Sequence, residues 1–129
     1  MKTFLTTLFL LVFICITCVP FAAGKDTLGT VTISYVLDRT QTIASNQIAV
    51  WIEDEGGNYI KTLFATKFGA EGGFRKRPDT LPEWVEKSSW ENAKPEEVDA
   101  VSGATPQSGT ISVVWDLTDR TGKPVSVGT

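Results

Sequence analysis

From Leu28 to Leu37 apolar and polar side chains alternate, with Val31, Ile33, Tyr35 and Leu37 set against Thr30, Thr32 and Ser34. A repeat of two is the signature of a strand with one covered face. Between Gln47 and Glu53 both faces are apolar, Ile48, Val50 and Ile52 on one and Ala49 and Trp51 on the other. This predicts a strand covered on both sides. Asp54-Glu55-Gly56-Gly57-Asn58 then supplies residues that tolerate positive φ, and Tyr59 to Thr66 is β-prone again. Gln47 to Thr66 therefore reads as a hairpin. A further strand is expected from Thr110 to Trp115, opened by Gly109, with a turn over Asp116 to Gly122 ahead of Lys123-Pro124-Val125.

The pattern changes from Lys67 to Glu97, where Gly69, Gly72, Gly73, Pro78, Pro82 and Pro95 break any strand. Inside it, Thr80-Leu81-Pro82-Glu83-Trp84 predicts a helix start, since proline suits the first turn and a carboxylate favours the positive end of the dipole. The helix is expected to run to about Asn92. Trp51 and Trp115 fall in strands and read as core, which leaves Trp84 and Trp90 as surface candidates for stacking on a flavin or a sugar ring. Arg75, Lys76 and Arg77 beside Phe74 form a basic cluster that suits a phosphate or an acidic partner, or else a solvated loop. Glu53, Asp54 and Glu55 read as hairpin-tip decoration, and Asp116 and Asp119 as turn formers.

Short alternating strands, hairpin chemistry and one helical excursion define the expected fold class: all-β, an immunoglobulin-like (Ig-like) antiparallel β-sandwich with a helix-containing insertion over about 67–97. A single domain is expected over 25–129. The chain stops at Gly128-Thr129, where another strand is expected to begin, so the sandwich is expected to be C-terminally truncated; the alternative is a short domain with a frayed tail.

The first residues narrow the chemistry. Lys2 precedes an apolar run from Phe4 to Val19, followed by Pro20 and the small residues Ala22, Ala23 and Gly24. This predicts a cleavable signal peptide over 1–24, with Lys25 as the mature N-terminus, because a retained anchor needs about 20 apolar residues. The expected location is periplasmic or otherwise extracytoplasmic, with no membrane insertion after cleavage. Cys15, Cys18 and Met1 leave with the leader, and the chain holds no histidine. Zinc sites, iron–sulfur clusters, haem with His, Cys or Met ligands, and Ser-His-Asp catalysis all need side chains that the mature segment lacks. A redox role would have to borrow an organic cofactor. The formal net charge of −3 argues against a nucleic-acid partner.

One segment offers such a cofactor. Asp99-Ala100-Val101-Ser102-Gly103-Ala104-Thr105 resembles the Asp-x-x-Ser/Thr-Gly-Ala-Thr/Ser acceptor loops of extracytoplasmic flavin transferases, which move FMN from FAD onto a Ser or Thr hydroxyl. The resemblance implies covalent FMN on Thr105, with Gly103 and Ala104 keeping the approach slim and Asp99 and Ser102 shaping the loop. The plain alternative is that these residues, with Pro106, only connect the insertion to the next strand.

Two wider resemblances frame the segment. The tail Trp115-Asp116-Leu117-Thr118-Asp119-Arg120-Thr121-Gly122-Lys123-Pro124-Val125-Ser126-Val127-Gly128-Thr129 is similar to the Ig-like domain of flagellar hook-capping proteins, which bears on fold rather than function. From about Val31 onward, the chain resembles a family of predicted periplasmic proteins, domain of unknown function 2271. The likeness rests on Trp51-Ile52-Glu53-Asp54, Tyr59-Ile60-Lys61-Thr62-Leu63, the Trp-bearing insertion, the Asp99 to Pro106 segment and the Trp115-Asp116 tail. Members of that family accompany flavin transferases and PepSY-type membrane redox proteins, so the resemblance implies those partners. Two functional classes follow: a flavin-linked electron-transfer protein outside the cytoplasm, or a non-catalytic Ig-like module that binds a protein or glycan. No catalytic residue and no metal ligand is assigned in either.

Overall fold

The computed structural model describes residues 29–40 and 46–126. The signal-peptide segment, the mature N-terminus and the last three residues, where a further strand was expected to start, lie outside them.

The described residues form two sheets. The first pairs β1 (Val31–Leu37) with β5 (Gly109–Trp115) in antiparallel register, Val31 opposite Trp115 and Leu37 opposite Gly109. The second has the order β2 (Ala49–Glu53), β3 (Tyr59–Thr66) and β4 (Ser102–Gly103). The β2–β3 hairpin forms where the pattern predicts it. Its tip is closed by Asp54, whose carboxylate accepts from the Gly56 and Asn58 backbone N–H groups at 2.9 Å each in an Asx turn; the Asn58 side-chain amide, then these backbone bonds, hold this acid below its ordinary range. The pairing register shifts between Val50 and Trp51 and between Ile52 and Glu53.

The all-antiparallel expectation is corrected at β4, which runs parallel to β3 with Ala65 opposite Ser102 and Thr66 opposite Gly103. The structure is mostly β in two sheets, and its main buried cluster includes the helical segment. Ala65, Ala70, Phe74, Trp84 and Trp90 form the core, and Ala49 and Trp51 pack onto it. The main core thus sits between one face of the three-stranded sheet and the helical segment. Of the residues expected to dominate the strands, Trp115 is buried, while Ile48, Val50, Ile52, Ile111 and Val113 are half-buried.

Helical turns build the other wall: α1 (Lys67–Ala70), a 3-10 turn over Gly73–Arg75, α2 (Pro82–Ser88), a second 3-10 turn over Trp90–Asn92, and α3 (Pro95–Val101). The expected helix starts at Pro82 but stops at Ser88, because Ser89 adopts φ 51°, the left-handed conformation that ends helices. That stop overturns the surface assignment of two tryptophans. In one continuous helix, positions 84 and 90 would diverge by about 120° around the axis. The break swings Trp90 back onto Trp84, ring centroids 4.7 Å apart and planes at 40°, leaving them 1% and 2% exposed. Both indole N–H groups are satisfied, Trp84 donating to Thr62 Oγ1 and Trp90 to the Ala70 carbonyl, each at 3.0 Å. Neither ring is free to stack on a ligand.

The two sheets are tied through the turn that follows β5. Lys61 Nζ donates to Asp116 Oδ1 and to Thr118 Oγ1, both at 2.7 Å, and the Arg120 backbone N–H donates to the Ile60 carbonyl at 3.0 Å. As expected, Asp116 and Asp119 act as turn formers, each accepting backbone N–H groups two residues on. Lys61, then Thr118, hold the Asp116 carboxyl at about 2, below its ordinary 3.8. A carboxyl lowered by folding adds stability that is complete above the unfolded value and is lost as pH falls through the folded one. The contribution should therefore fade between pH about 4 and about 2. Because more than half of this side chain is exposed, it is worth at most about 1 kcal/mol. Urea titrations of the wild type and Asp116→Asn should differ by that amount at pH 7 and converge near pH 2.

Candidate functional site

The Asp99 to Thr105 segment passes through three backbone states. Asp99 and Ala100 lie in the last turn of α3 and are exposed. The helix begins at Pro95, whose missing N–H costs nothing in a first turn, and Glu96 and Glu97 favour its positive end. Ser102 ends it, its backbone N–H donating to the Val98 carbonyl, and Ser102-Gly103 then pairs with β3. Beyond Gly103 the chain leaves regular structure: Ala104 is exposed, and Thr105 and Pro106 are half-buried.

Among the described residues, neither Asp99 nor Ser102 makes a side-chain hydrogen bond, so the shape of the segment comes from its backbone pairing. Gly103 has a packing reason to be glycine: a Cβ there would run into the Phe64 ring on the adjacent strand. Gly103→Ala is expected to cost about 1–3 kcal/mol through displacement of that ring, measured as a lowered urea midpoint.

Helix α3 forms a wall between two clefts. Ala100 and Val101 face one of about 700 Å³ that also carries Lys61, Lys94, Glu97 and Arg120. Val98 and Asp99 face another of about 280 Å³, with Trp90, Gly72 and Arg75 across it. The charges of the larger cleft are mostly engaged. Arg120 pairs with Glu97 at 2.9 Å, donates to the Ser88 carbonyl at 2.9 Å and lies over the Tyr59 ring, whose hydroxyl burial pushes to a higher pKa. In the basic cluster, Arg75 lies over Phe74 and Arg77 over Phe68, at 5.2 and 5.0 Å from the ring centroids. These stacked arginines form part of the wall of the insertion.

Thr105 does not share either cleft. Because β4 runs parallel to β3, the chain from Ser102 onward travels past Ala65 and Thr66, away from Lys61 and Thr62. It arrives instead where β1 ends. There the Arg39 backbone N–H donates to Ser108 Oγ, and its Nη1 donates to Gln107 Oε1, both at 3.0 Å. The structure thus separates the segment into Asp99 at one cleft and Thr105 outside both, two residues before the Gln107 that Arg39 bonds. Sequence reasoning missed Arg39, since it follows a strand with no motif around it; its one signal is a cation placed opposite Gln107 when the β1–β5 register is continued two residues past Leu37 and Gly109.

Among the described residues no group of three or more acidic, His or Cys side chains could hold a metal ion, and no helix is long and apolar enough to cross a membrane. No curated protein and no solved structure matches the chain. The model of the family described as "Predicted periplasmic protein (DUF2271)" matches residues 30–129, in agreement with an extracytoplasmic location, and the chain belongs to that family.

Proposed function

We propose that this protein is an exported component of a flavin-linked electron-transfer system and carries covalent FMN on Thr105. The observation that carries the proposal is the division inside the acceptor-like segment. Its first part is fastened by α3 and by pairing with β3, while the hydroxyl-bearing end lies outside regular structure, Thr105 half-buried and following an exposed alanine. A rigid base with a slim, unpaired end suits a nucleophile that must enter another enzyme's active site.

In the transfer, Thr105 Oγ forms a bond to the FMN phosphorus of FAD. The phosphoanhydride bond to AMP breaks, and the hydroxyl proton leaves with AMP. The flavin transferase supplies the catalysis, and the chain supplies the acceptor. Once attached, FMN brings the redox chemistry, while the domain sets its position between donor and acceptor. A PepSY-type membrane redox protein is the proposed exchange partner. On this view the chain is not an enzyme on its own.

Co-export with an active flavin transferase, followed by intact mass and peptide mapping, tests the proposal. One FMN on the peptide containing Thr105 is expected. An unlabelled chain beside a labelled reference acceptor in the same cells would overturn it.

A second reading has its own support. Val36 and Val114 on β1 and β5 are 81% and 58% exposed. Apolar side chains on an outer sheet face fit a non-catalytic, Ig-like module that binds a protein or glycan.

A further inference from the structure

We propose that Arg39 is the binding residue for the phosphate through which FMN is attached, an assignment that rests on Thr105 being the acceptor. Esterification of Thr105 creates a phosphodiester with one negative charge on a chain that is already acidic. Such a charge is held more firmly where a cation lies close to the attachment point. Among the described residues, Arg39 is the one cation hydrogen-bonded to the segment 104–108.

Its placement is determined by more than a flexible side chain. The backbone of Arg39 is held by Ser108 Oγ, and the next residue is fastened by Asn46, whose Oδ1 accepts from the Thr40 N–H at 3.3 Å and from Thr40 Oγ1 at 3.0 Å. The guanidinium spends one N–H on Gln107, two residues beyond Thr105. A guanidinium carries five N–H donors in a planar fork. Those left over suit two phosphate oxygens, the bidentate geometry that makes arginine the preferred phosphate ligand. Gln107 thus restrains the guanidinium on the segment that carries the acceptor, two residues from Thr105, which limits the ordering cost of binding a phosphate. The Arg75-Lys76-Arg77 cluster lies on the insertion, with two of its arginines stacked on phenylalanine rings.

The test uses purified wild type, Arg39→Gln, Arg39→Lys and Gln107→Ala with a flavin transferase and FAD. The readouts are the labelling rate and the phosphorus-31 resonance of the attached phosphodiester. Arg39→Gln should label at least about tenfold more slowly, through loss of the charge-assisted pair of hydrogen bonds to the phosphate. Its phosphorus resonance should be shifted from the wild-type position, and Arg39→Lys should recover most of both. Gln107→Ala removes the tether and keeps the guanidinium, so its rate should stay within about threefold of wild type. Equal rates and an unchanged resonance in Arg39→Gln, with FMN present on Thr105, would overturn the role of Arg39 and leave the acceptor assignment standing. A Gln107→Ala defect as large as that of Arg39→Gln would also overturn it, by making Arg39 a strut. Wild type without label removes the acceptor assignment and this inference together.

Discussion

Trp84→Ala is expected to lower folding stability by about 3–5 kcal/mol, the range for deleting a buried indole without refilling the space. Trp84 is at the centre of the described core: it stacks on Trp90, donates to Thr62 and packs between α2 and β3. Domains of this size have stabilities of about 5–15 kcal/mol in total, so the variant should lie near the edge of folding. Trp84→Phe separates the two contributions. It retains most of the ring contact but leaves Thr62 Oγ1 without its indole donor, and should cost about 1–3 kcal/mol. Urea denaturation followed by circular dichroism gives both values. A surface role for Trp84 would instead give changes within about 0.5 kcal/mol.

The same tryptophan shows what was legible in the chain and what was not. The hairpin was readable because Ile48 to Ile52 and Tyr59 to Thr66 flank a run of turn formers that no helix would tolerate. The helix at Pro82 was readable from its start signals, but its end depends on Ser89 accepting a left-handed backbone, and serine does not announce that as glycine would. Without that break Trp84 and Trp90 cannot meet.

Helix α3 carried a visible signal in Pro95-Glu96-Glu97, where the proline opens a helix as well as ending a strand. The two residues of β4 are too few for any periodicity, and their parallel partner lies far back in sequence at Ala65 and Thr66. That long-range pairing decides the site. It carries the chain away from the cleft lined by Lys61 and Arg120 and toward the Gln107 and Ser108 contacts with Arg39. Residue types in the acceptor-like segment could be read directly; which neighbours they meet depends on the direction of a two-residue strand.

Thr105→Ala is expected to abolish covalent flavin fluorescence on a denaturing gel, because alanine keeps the backbone path and lacks the hydroxyl nucleophile. The controls follow from the geometry. Ser102 acts through its backbone, with its N–H on Val98 and its strand pairing with Ala65, so Ser102→Ala should label nearly as the wild type. Ser108 accepts the Arg39 backbone N–H, so Ser108→Ala should loosen that contact and still label at Thr105. Thr105→Ser keeps a hydroxyl on the same path and should restore labelling. Were Thr105→Ala to remain fluorescent while Ser102→Ala or Ser108→Ala went dark, the acceptor would be one of those two serines. The division between a fastened base and an emerging hydroxyl at Thr105 would then lose its functional meaning.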